Sequence, residues 1–378
     1  MHLLICSPDA YSLFNTNTRY PFGGAEVRAV HFARGLSETG RFKISVITRN
    51  QGRGKETFGK IEVYPHPELH GKGYWEKRNT LTERIKFKLG LHRPTPFSNS
   101  DELLNIISPD AVLILGMSPE AVECFRLAQK RKIKFIFGAA SDIDLTYDES
   151  THQLAEQYRE VIQHADLVLA QTPFQQKTFS EKFGVKSELL LNPVSANKPS
   201  GKTVSPCDVL WIGKSSAIKQ PELFIRLAAE LPRFSFRMIL NKADDTIYRT
   251  CFNQKPENLE IIEQVPFEEI QDYYCASKIF VSTSSFEGFP NTFLQAAVYG
   301  LPIVSLHADP NQMLSVHGCG VVTSGDVSLM SQQIIQLMNS QQMRHEIQTH
   351  EQRYIQHFHD SEAIVGKLHD LIIAIFKE

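Results

Sequence analysis

Short apolar runs alternate with segments of helical periodicity along the whole chain. In one helical segment, Val27, Val30 and Ala33 recur at the spacing of a face packed on a sheet. The strands predicted in the first half are Leu3–Cys6, Lys43–Thr48, Ala111–Leu115, Lys134–Phe137 and Leu167–Ala170. The helices predicted between them are Ala25–Leu36, Pro119–Arg131, Glu149–His164 and Pro173–Phe183. Strands that alternate with helices in this way predict a parallel sheet of βα units.

The second half repeats this pattern. Its predicted strands are Val209–Ile212, Ser235–Leu240, Leu259–Ile262, Lys278–Ser282, Pro302–Ser305 and Gly320–Val322. Asn192–Cys207 is rich in Pro and Ser and is the best candidate for a linker. We therefore expect an α/β protein of two Rossmann-like, doubly wound parallel-sheet domains, 1–192 and 207–358, that face each other across a ligand-binding cleft. The tail, Ser361–Phe376, has the pattern of an amphipathic helix.

Composition narrows the class of protein. A chain of 378 residues is long enough for two cores, and 42% hydrophobic with 22% charged residues is ordinary for a globular protein. The net charge of -2 gives no general attraction to nucleic acid, so no nucleic-acid partner is expected. The six Cys are scattered, and no run of about 18 apolar residues occurs, so we expect a cytoplasmic protein without a transmembrane helix. The 14 His form no metal-ligating pattern, and no metal is expected.

The segment 72–93 differs from the rest of the chain. It holds seven Lys or Arg against Glu76 and Glu83, with Tyr74 and Trp75 among them. Such a segment predicts peripheral contact with anionic lipid at the inner face of a membrane. Contact with an acidic or lipid-diphosphate acceptor and a solvated loop are the alternative interpretations.

The most informative motif spans residues 284–297, between a strand-like run and a helix-like run. Pro290 suits the first helical turn, where a missing N–H costs nothing. The start of a helix presents unpaired N–H groups and a positive dipole end, an arrangement that suits a phosphate. Glu287 lies at the mouth of this predicted site, and Gln295 follows in the helix.

This motif resembles the donor-site motif of the retaining glycosyltransferases of group 1 (family 4). It reads Glu287-Gly288-Phe289-Pro290-Asn291-Thr292-Phe293-Leu294-Gln295-Ala296. The family has two Glu separated by seven residues; Glu287 matches the first, and Gln295 stands at the second. The resemblance implies that Glu287 contacts the donor sugar, that Gln295 holds the ribose hydroxyls, and that Phe289–Thr292 bind the nucleotide. Gln keeps the hydrogen bonds of Glu but loses its charge.

A second motif, Trp211–Lys219, also resembles this family. The family has Gly-Arg-x-x-x-x-Lys here, and this chain has Gly213, Lys214 and Lys219. Gly213 follows the predicted strand Val209–Ile212, and we expect it to let the backbone turn close to the bound nucleotide sugar. The resemblance implies that Lys214 and Lys219 bind the leaving diphosphate, and that they are catalytic residues together with Glu287. Lys214 lacks the planar fork of Arg. Two lysines on a loop, taken alone, are most often solvated.

Acceptor-side candidates lie in the first half. Gly23, Gly24 and Glu26 resemble the family's Gly-Gly loop near the sugar and acceptor, although simple βα turn chemistry explains them equally well. Asp142 follows the strand Lys134–Phe137 and is predicted to hydrogen-bond the acceptor or sugar hydroxyls. The alternatives for Asp142, and for the neighbouring Asp144, are a helix cap or a solvated loop.

The motifs stand in the order that the family has, and the resemblance implies a GT-B glycosyltransferase that moves a hexose-type sugar, with retention and without a metal, from a nucleotide sugar to a glycan or lipid-linked acceptor. The nucleotide base is expected at backbone near Val265, which does not separate UDP from GDP. The family most often implies bacterial surface-polysaccharide assembly, with a final helix (360–378) that packs on the first domain. One alternative is a non-catalytic subunit that binds sugar nucleotides, suggested by Gln295 and Lys214. A dehydrogenase is a weaker alternative, because Gly-x-Gly-x-x-Gly is absent.

Overall fold

A computed structural model of the chain describes residues 1–18, 22–49, 54–66, 100–147, 154–194, 196 and 200–377. These residues form two compact units. The first unit comprises Met1–Asn15, Phe22–Leu190 and Val365–Glu378, and the second comprises Thr16–Pro21 and Leu191–Ile364. The basic segment 72–93 lies outside the described residues.

The described part of the first unit is built on an eight-stranded sheet with the order β3-β4-β2-β1-β5-β6-β7-β8. The strands are β1 His2–Cys6, β2 Lys43–Arg49, β3 Glu56–Phe58, β4 Ile61–His66, β5 Ala111–Leu115, β6 Lys134–Gly138, β7 Leu167–Ala170 and β8 Glu188–Leu189. The helices are α1 Gly24–Glu38, α2 Ser100–Ile107, α3 Pro119–Arg131, α4 Ile143–Thr146, α5 Ala155–His164 and α6 Pro173–Phe183.

Burial explains why the strands of the first unit lie where they do. The runs Leu3–Cys6 and Ala111–Ile114 are almost fully buried, as expected for parallel strands covered on both faces. β1 pairs in parallel with β2 on one side and β5 on the other, so the strand order reverses there. Ligands of such sheets bind beyond the carboxyl ends of the strands, next to this reversal.

The second unit has a six-stranded parallel sheet with the order β11-β10-β9-β12-β13-β14 in its described part. Its strands are β9 Cys207–Lys214, β10 Phe236–Asn241, β11 Leu259–Glu263, β12 Ser277–Ser282, β13 Ile303–Ser305 and β14 Gly320–Val322. Its helices are α7 Pro221–Glu230, α8 Asp245–Asn253, α9 Ile270–Cys275, α10 Asn291–Val298, α11 Val327–Asn339 and α12 Gln341–Phe358.

A last helix, α13 (Ser361–Ala374), begins in the second unit and continues in the first. Val365 at its start packs against α1 where Gly35 leaves room, since a Cβ on Gly35 would lie 2.5 Å from a Val365 methyl carbon. The ring of His369 meets Phe42 edge-on at 5.5 Å. Among the described residues, no helix has the length and apolarity needed to cross a membrane.

The predicted α/β class and both parallel sheets are confirmed, but the first sheet differs at its edges. β3 is antiparallel to β4, and neither of these strands nor β8 was predicted. These strands are short, or alternate Glu with apolar residues, so they lack the continuous apolar run that marks a buried strand. The predicted helix Glu149–His164 begins at Ala155 in the structure, and residues 148–153 lie outside the described residues.

Candidate functional site

Two loops at the carboxyl ends of the neighbouring strands β9 and β12 form one hydrogen-bonded assembly. We call residues 213–219 and 283–290 the paired loops. The Ser285 N–H donates to the Ile218 carbonyl over 2.8 Å, and the Thr283 hydroxyl donates to the Lys219 carbonyl over 2.8 Å. Buried Trp211 donates from Nε1 to the Thr283 hydroxyl over 3.0 Å. Each loop therefore fixes the backbone of the other.

The paired loops bring two predicted catalytic residues together. Lys219 Nζ forms an ion pair with Glu287 Oε1, and their side chains are 27% and 14% exposed. Both groups are thus partly shielded, so their attraction is stronger than that of a solvated pair. Lys214, at the end of β9, has no ion-pair partner among the described residues and is partly exposed. Its ammonium group remains available to a ligand.

Gly213 lies within a strand and not in the expected turn. The predicted strand ended at Ile212, with Gly213 as a turn, but β9 extends to Lys214, and the backbone of Gly213 is not in the left-handed region. A Cβ at this position would lie 2.7 Å from a ring carbon of Trp211. The indole ring covers this position and leaves no room for a larger side chain than that of Gly.

The helix α10 begins one residue later than predicted. Pro290 is the residue before its first turn, and no side chain caps the helix. The side chains of Phe289 and Pro290 are buried, as is that of Val265. These three predicted nucleotide-binding residues therefore have mainly backbone to offer a ligand, whereas Asn291 and Thr292 are partly exposed.

Gln295 is held by a residue that sequence reasoning missed. The hydroxyl of fully buried Tyr274 donates to Gln295 Oε1 over 3.1 Å, and burial raises the pKa of Tyr274 well above its usual value. Tyr274 in turn stacks on Tyr299 with ring centroids 5.7 Å apart. The Nε2 amide of Gln295 has no hydrogen-bond partner among the described residues, so it is a donor that a ligand can use.

Asn192 and His359, which sequence reasoning also missed, lie behind the start of α10. Asn192 Nδ2 donates to Asn291 Oδ1 over 3.1 Å and, more weakly, to the Phe289 carbonyl over 3.4 Å. His359 Nδ1 donates to the Asn192 carbonyl over 2.7 Å, and its ring lies 4.9 Å from that of Phe289. Asn192 and His359 thus support the residues at the start of α10. Neither side chain belongs to a motif, so neither residue could be found from the sequence.

In the first unit, Glu26 has a local role. Its Oε2 accepts from the Gly23 N–H over 2.7 Å, which closes the first turn of α1. Gly23 has an extended backbone that any residue adopts, with φ of -129°. Gly24 is exposed at the start of the helix. The structure therefore brings Gly23 and Glu26 together as a helix start and leaves one carboxylate oxygen of Glu26 outside that contact.

The two Asp residues after β6 have different environments. Asp144 accepts from the N–H groups of Met117, Ala140 and Ser141 over 2.7 to 3.2 Å, so it holds two loops together. Asp142 precedes α4 but makes no side-chain cap. Its Oδ1 accepts from Gln175 Nε2 over 2.9 Å, and burial raises its pKa. The helix-cap interpretation is thus excluded for Asp142.

In the described part of the chain, no group of three or more His, Cys, Asp or Glu is arranged to hold a metal ion. Residues 206–340 match the family described as "Glycosyl transferases group 1". The matched region lies within the second unit. It covers most of the second unit, with both paired loops, Tyr274 and Gln295.

Solved structures share the fold over the full length of the chain. Sucrose-phosphate synthase from Thermosynechococcus elongatus has a TM-score of 0.75 at 12% identity, with 100% of this chain and 99% of that chain covered. An S. aureus TarM variant in complex with fondaparinux, α-GlcNAc-glycerol and UDP has a TM-score of 0.72 at 12% identity, with 98% of this chain and 99% of that chain covered. The E. coli protein described as "Trehalose-6-phosphate", bound with UDP-2-fluoro glucose, has a TM-score of 0.70 at 11% identity, with 98% of this chain and 99% of that chain covered.

These similarities show the fold, which is the predicted GT-B type with two parallel-sheet α/β domains. No curated protein matches the chain.

Proposed function

We propose that this protein is a metal-independent, retaining glycosyltransferase that moves a hexose-type sugar from a nucleotide-diphosphate sugar to a glycan or lipid-linked acceptor. Bacterial surface-polysaccharide assembly is the process that we propose for it. The single observation that carries the proposal is the Lys219–Glu287 pair on the paired loops, inside the matched glycosyl transferase region. A cation beside a carboxylate, next to an uncapped helix start, suits a ligand with both a diphosphate and a sugar.

The chemistry follows from the charges of these groups. When the bond between the sugar and the diphosphate breaks, negative charge grows on the leaving oxygen. Lys214, Lys219 and the N–H groups at the start of α10 stabilise that charge, and because they are fixed beforehand they need little reorganisation. Glu287 orients the sugar by accepting from its hydroxyls, and the Gln295 amide contacts the ribose. The acceptor hydroxyl is held by the first unit, where Gly23, Gly24, Glu26 and Asp142 are the proposed contacts.

The donor nucleotide is UDP or GDP. UDP comes first because the structurally similar S. aureus and E. coli proteins carry UDP or a UDP sugar. The base is proposed to contact backbone near Val265, whose side chain is buried. Peripheral contact with an anionic membrane through 72–93 remains part of the proposal.

A second candidate function is a non-catalytic subunit that binds sugar nucleotides. Gln295 and Lys214, which replace the family's Glu and Arg, favour it. Such a subunit binds a nucleoside diphosphate but neither transfers sugar nor hydrolyses the donor.

The decisive first experiment is the melting temperature with UDP, GDP, ADP and NAD, for the wild type and for Lys214→Ala/Lys219→Ala. A ligand at about 100 times its dissociation constant adds about 2.7 kcal/mol of stability, which is easily measured. We expect a shift with one nucleoside diphosphate that the double variant loses. No shift with any of them would contradict the proposal. A shift without transfer or hydrolysis of the matching donor sugars would favour the non-catalytic subunit.

A further inference from the structure

We infer that Asp142, Ile143 and Phe174 form a subsite for the pyranose ring of an acceptor sugar, and that Gln175 positions Asp142 within it. The inference rests on the proposed function, because it names the acceptor class and where the first unit holds it. It adds three residues, Ile143, Phe174 and Gln175, to the site.

The topology puts these residues side by side. β6 and β7 are adjacent parallel strands, so the segments that follow them leave the same edge of the sheet. Asp142 and Ile143 follow β6, and Phe174 and Gln175 follow β7. This edge is where ligands of doubly wound sheets bind.

The backbone N–H groups around Asp142 do not use its carboxylate as a hydrogen-bond acceptor. Asp144 and Ser141 already satisfy the local N–H groups, since Asp144 accepts three of them and the Ser141 hydroxyl accepts from the Ile143 N–H over 3.1 Å. Oδ1 of Asp142 is bound by Gln175, and Oδ2 has no hydrogen-bond partner among the described residues. A partly buried carboxylate with one fixed and one open oxygen is suited to accept from a ligand hydroxyl.

Gln175 holds this carboxylate through a chain of buried groups. The Gln175 side chain is fully buried, and its two ends are both bonded. Its Oε1 accepts from the Gln171 N–H over 2.8 Å, while its Nε2 donates to Asp142 over 2.9 Å. Gln171 Nε2 donates to the Ala139 carbonyl over 2.5 Å, which ties the chain back to β6. The carboxylate is therefore placed by the sheet and not by solvent.

Two apolar side chains stand exposed beside it. Ile143 is 49% exposed and Phe174 is 52% exposed, and the two helices whose first turns contain them pack together. The two helices run in the same direction, because Gln175 bonds Asp142 at one end and Lys182 Nζ donates to the Leu145 and Tyr147 carbonyls at the other. Their first turns, with Ile143 and Phe174, thus lie next to each other.

A pyranose ring matches this combination of groups. It has a face of C–H groups that packs on an aromatic ring, and a rim of hydroxyls that donate to a carboxylate. An acyl chain would cover Ile143 and Phe174 but would remove water from Asp142 without giving it a hydrogen-bond partner, which is costly. The pair of functions, apolar and charged, therefore favours a sugar over a lipid chain.

The test measures binding of methyl α- and β-glycosides of glucose, galactose, mannose and N-acetylglucosamine, by saturation-transfer NMR in the presence of UDP. Wild type is compared with Asp142→Asn, Ile143→Ala, Phe174→Ala and Gln175→Leu. The controls are Ile106→Ala and Phe376→Ala, which remove exposed apolar side chains elsewhere in the first unit. Melting curves recorded first show which variants fold. Ile143→Ala and Phe174→Ala are expected to fold, because both side chains are exposed.

We expect at least one glycoside to bind, with affinity lowered about tenfold (about 1.4 kcal/mol) by Phe174→Ala or Asp142→Asn and unchanged in both controls. Gln175→Leu should also shift the pH dependence of glycoside binding to higher pH, since it removes the hydrogen bond that favours the ionised carboxylate of Asp142. A purely structural role of Gln175 would lower stability without moving this profile.

No glycoside binding to the wild type, or equal loss in controls and variants, would overturn the inference. The nucleotide melting shift separates this outcome from failure of the proposed function. A UDP or GDP shift without glycoside binding leaves the transferase proposal standing and removes the subsite. Glycoside binding without any nucleotide shift supports the subsite on a protein that is not a transferase.

Discussion

His359 donates a hydrogen bond from Nδ1 to the backbone carbonyl of Asn192 over 2.7 Å. The two residues are 167 positions apart in the chain, and each lies close to a point where the chain passes from one unit to the other. His359 is fully buried, its Nε2 has no partner among the described residues, and burial lowers its pKa to about 4. The ring is therefore neutral in the folded protein at neutral pH.

This pair predicts a specific loss of stability in acid. The pKa of His359 is about 4 in the folded state and about 6.5 in the unfolded state, so below pH 6.5 the unfolded chain binds the proton more readily. The stability that the neutral His359 ring contributes is fully present above pH 6.5. It is lost as the pH falls towards 4, by at most about 3 kcal/mol. His359→Asn, which keeps a donor for the Asn192 carbonyl, should flatten urea-unfolding free energies between pH 6.5 and 4.5. An unchanged slope would contradict the assignment. His31, whose pKa burial also lowers to about 4, contributes a second such loss.

Lys219→Ala should affect turnover far more than stability. The pair with Glu287 is partly exposed, so its loss should lower the free energy of unfolding by about 1 kcal/mol, while turnover falls at least about 100-fold. Lys278→Ala is the matched control, because it removes an ion pair between Lys278 at the start of β12 and Asp208 at the start of β9. These two strands lead into the paired loops. Lys219→Glu/Glu287→Lys restores the charge pair but should not restore turnover. Near-normal transfer in Lys219→Ala would remove Lys219 from the catalytic residues.

Gln295→Glu should strengthen nucleotide binding. The carboxylate would still accept from the Tyr274 hydroxyl, and its second oxygen would accept from a ribose hydroxyl through a charge-assisted bond. We expect the dissociation constant for UDP or GDP to fall by about fivefold to tenfold in calorimetric titrations, a change of about 1 to 1.4 kcal/mol. Tyr274→Phe, which releases the amide, should weaken binding instead. Weaker binding in Gln295→Glu would show that the Nε2 donor is the group that the ligand needs.

Gly213→Ala tests the packing of the indole ring. The new methyl group would lie 2.7 Å from Trp211, so the ring or the strand must shift, at a cost of about 1–3 kcal/mol of stability. Because Trp211 bonds Thr283, nucleotide affinity should fall as well. Gly54→Ala is the control, since a Cβ there meets nothing within 4 Å. Thermal unfolding and the nucleotide melting shift measure both effects, and a variant with wild-type values in both would disprove the clash.

Glu351 predicts a variant that is more stable than the wild type. Its side chain is fully buried, neither oxygen has a partner among the described residues, and burial raises its pKa well above the usual value. Folding therefore requires the protonated form, and stability falls as the pH rises above about 4.5. Glu351→Met should raise the melting temperature at pH 8 more than at pH 5. Glu346→Met, on the exposed side of the same helix, should change neither. A lower melting temperature at pH 8 would overturn this view of Glu351.

Much of the fold could be predicted because buried parallel strands such as Ala111–Leu115 are continuous apolar runs, visible without any neighbour. The edge strand Glu56–Phe58 was missed because its position depends on pairing with β4 and not on its own burial. The motifs likewise predicted Lys219 and Glu287 as site residues, and the structure adds that their side chains form an ion pair.

The residues that support the site could not be predicted from the sequence, for a related reason. Tyr274, Asn192 and Gln175 act through single hydrogen bonds to residues that are 21, 99 and 33 positions away. Nothing in the local spacing of a Tyr, Asn or Gln distinguishes such a bond from a solvated side chain. Asp142 and Asp144 show the same limit, because only their partners separate a loop-holding carboxylate from an open one.

The hydrogen bonds that join Ser285 to Ile218 and Thr283 to Lys219 have a consequence for engineering. A graft that imports only one of the paired loops from another enzyme would place its new side chains on a backbone whose partner no longer matches. Under the proposed function, an exchange of donor specificity should therefore succeed only when both loops, with Trp211, are transplanted as one module.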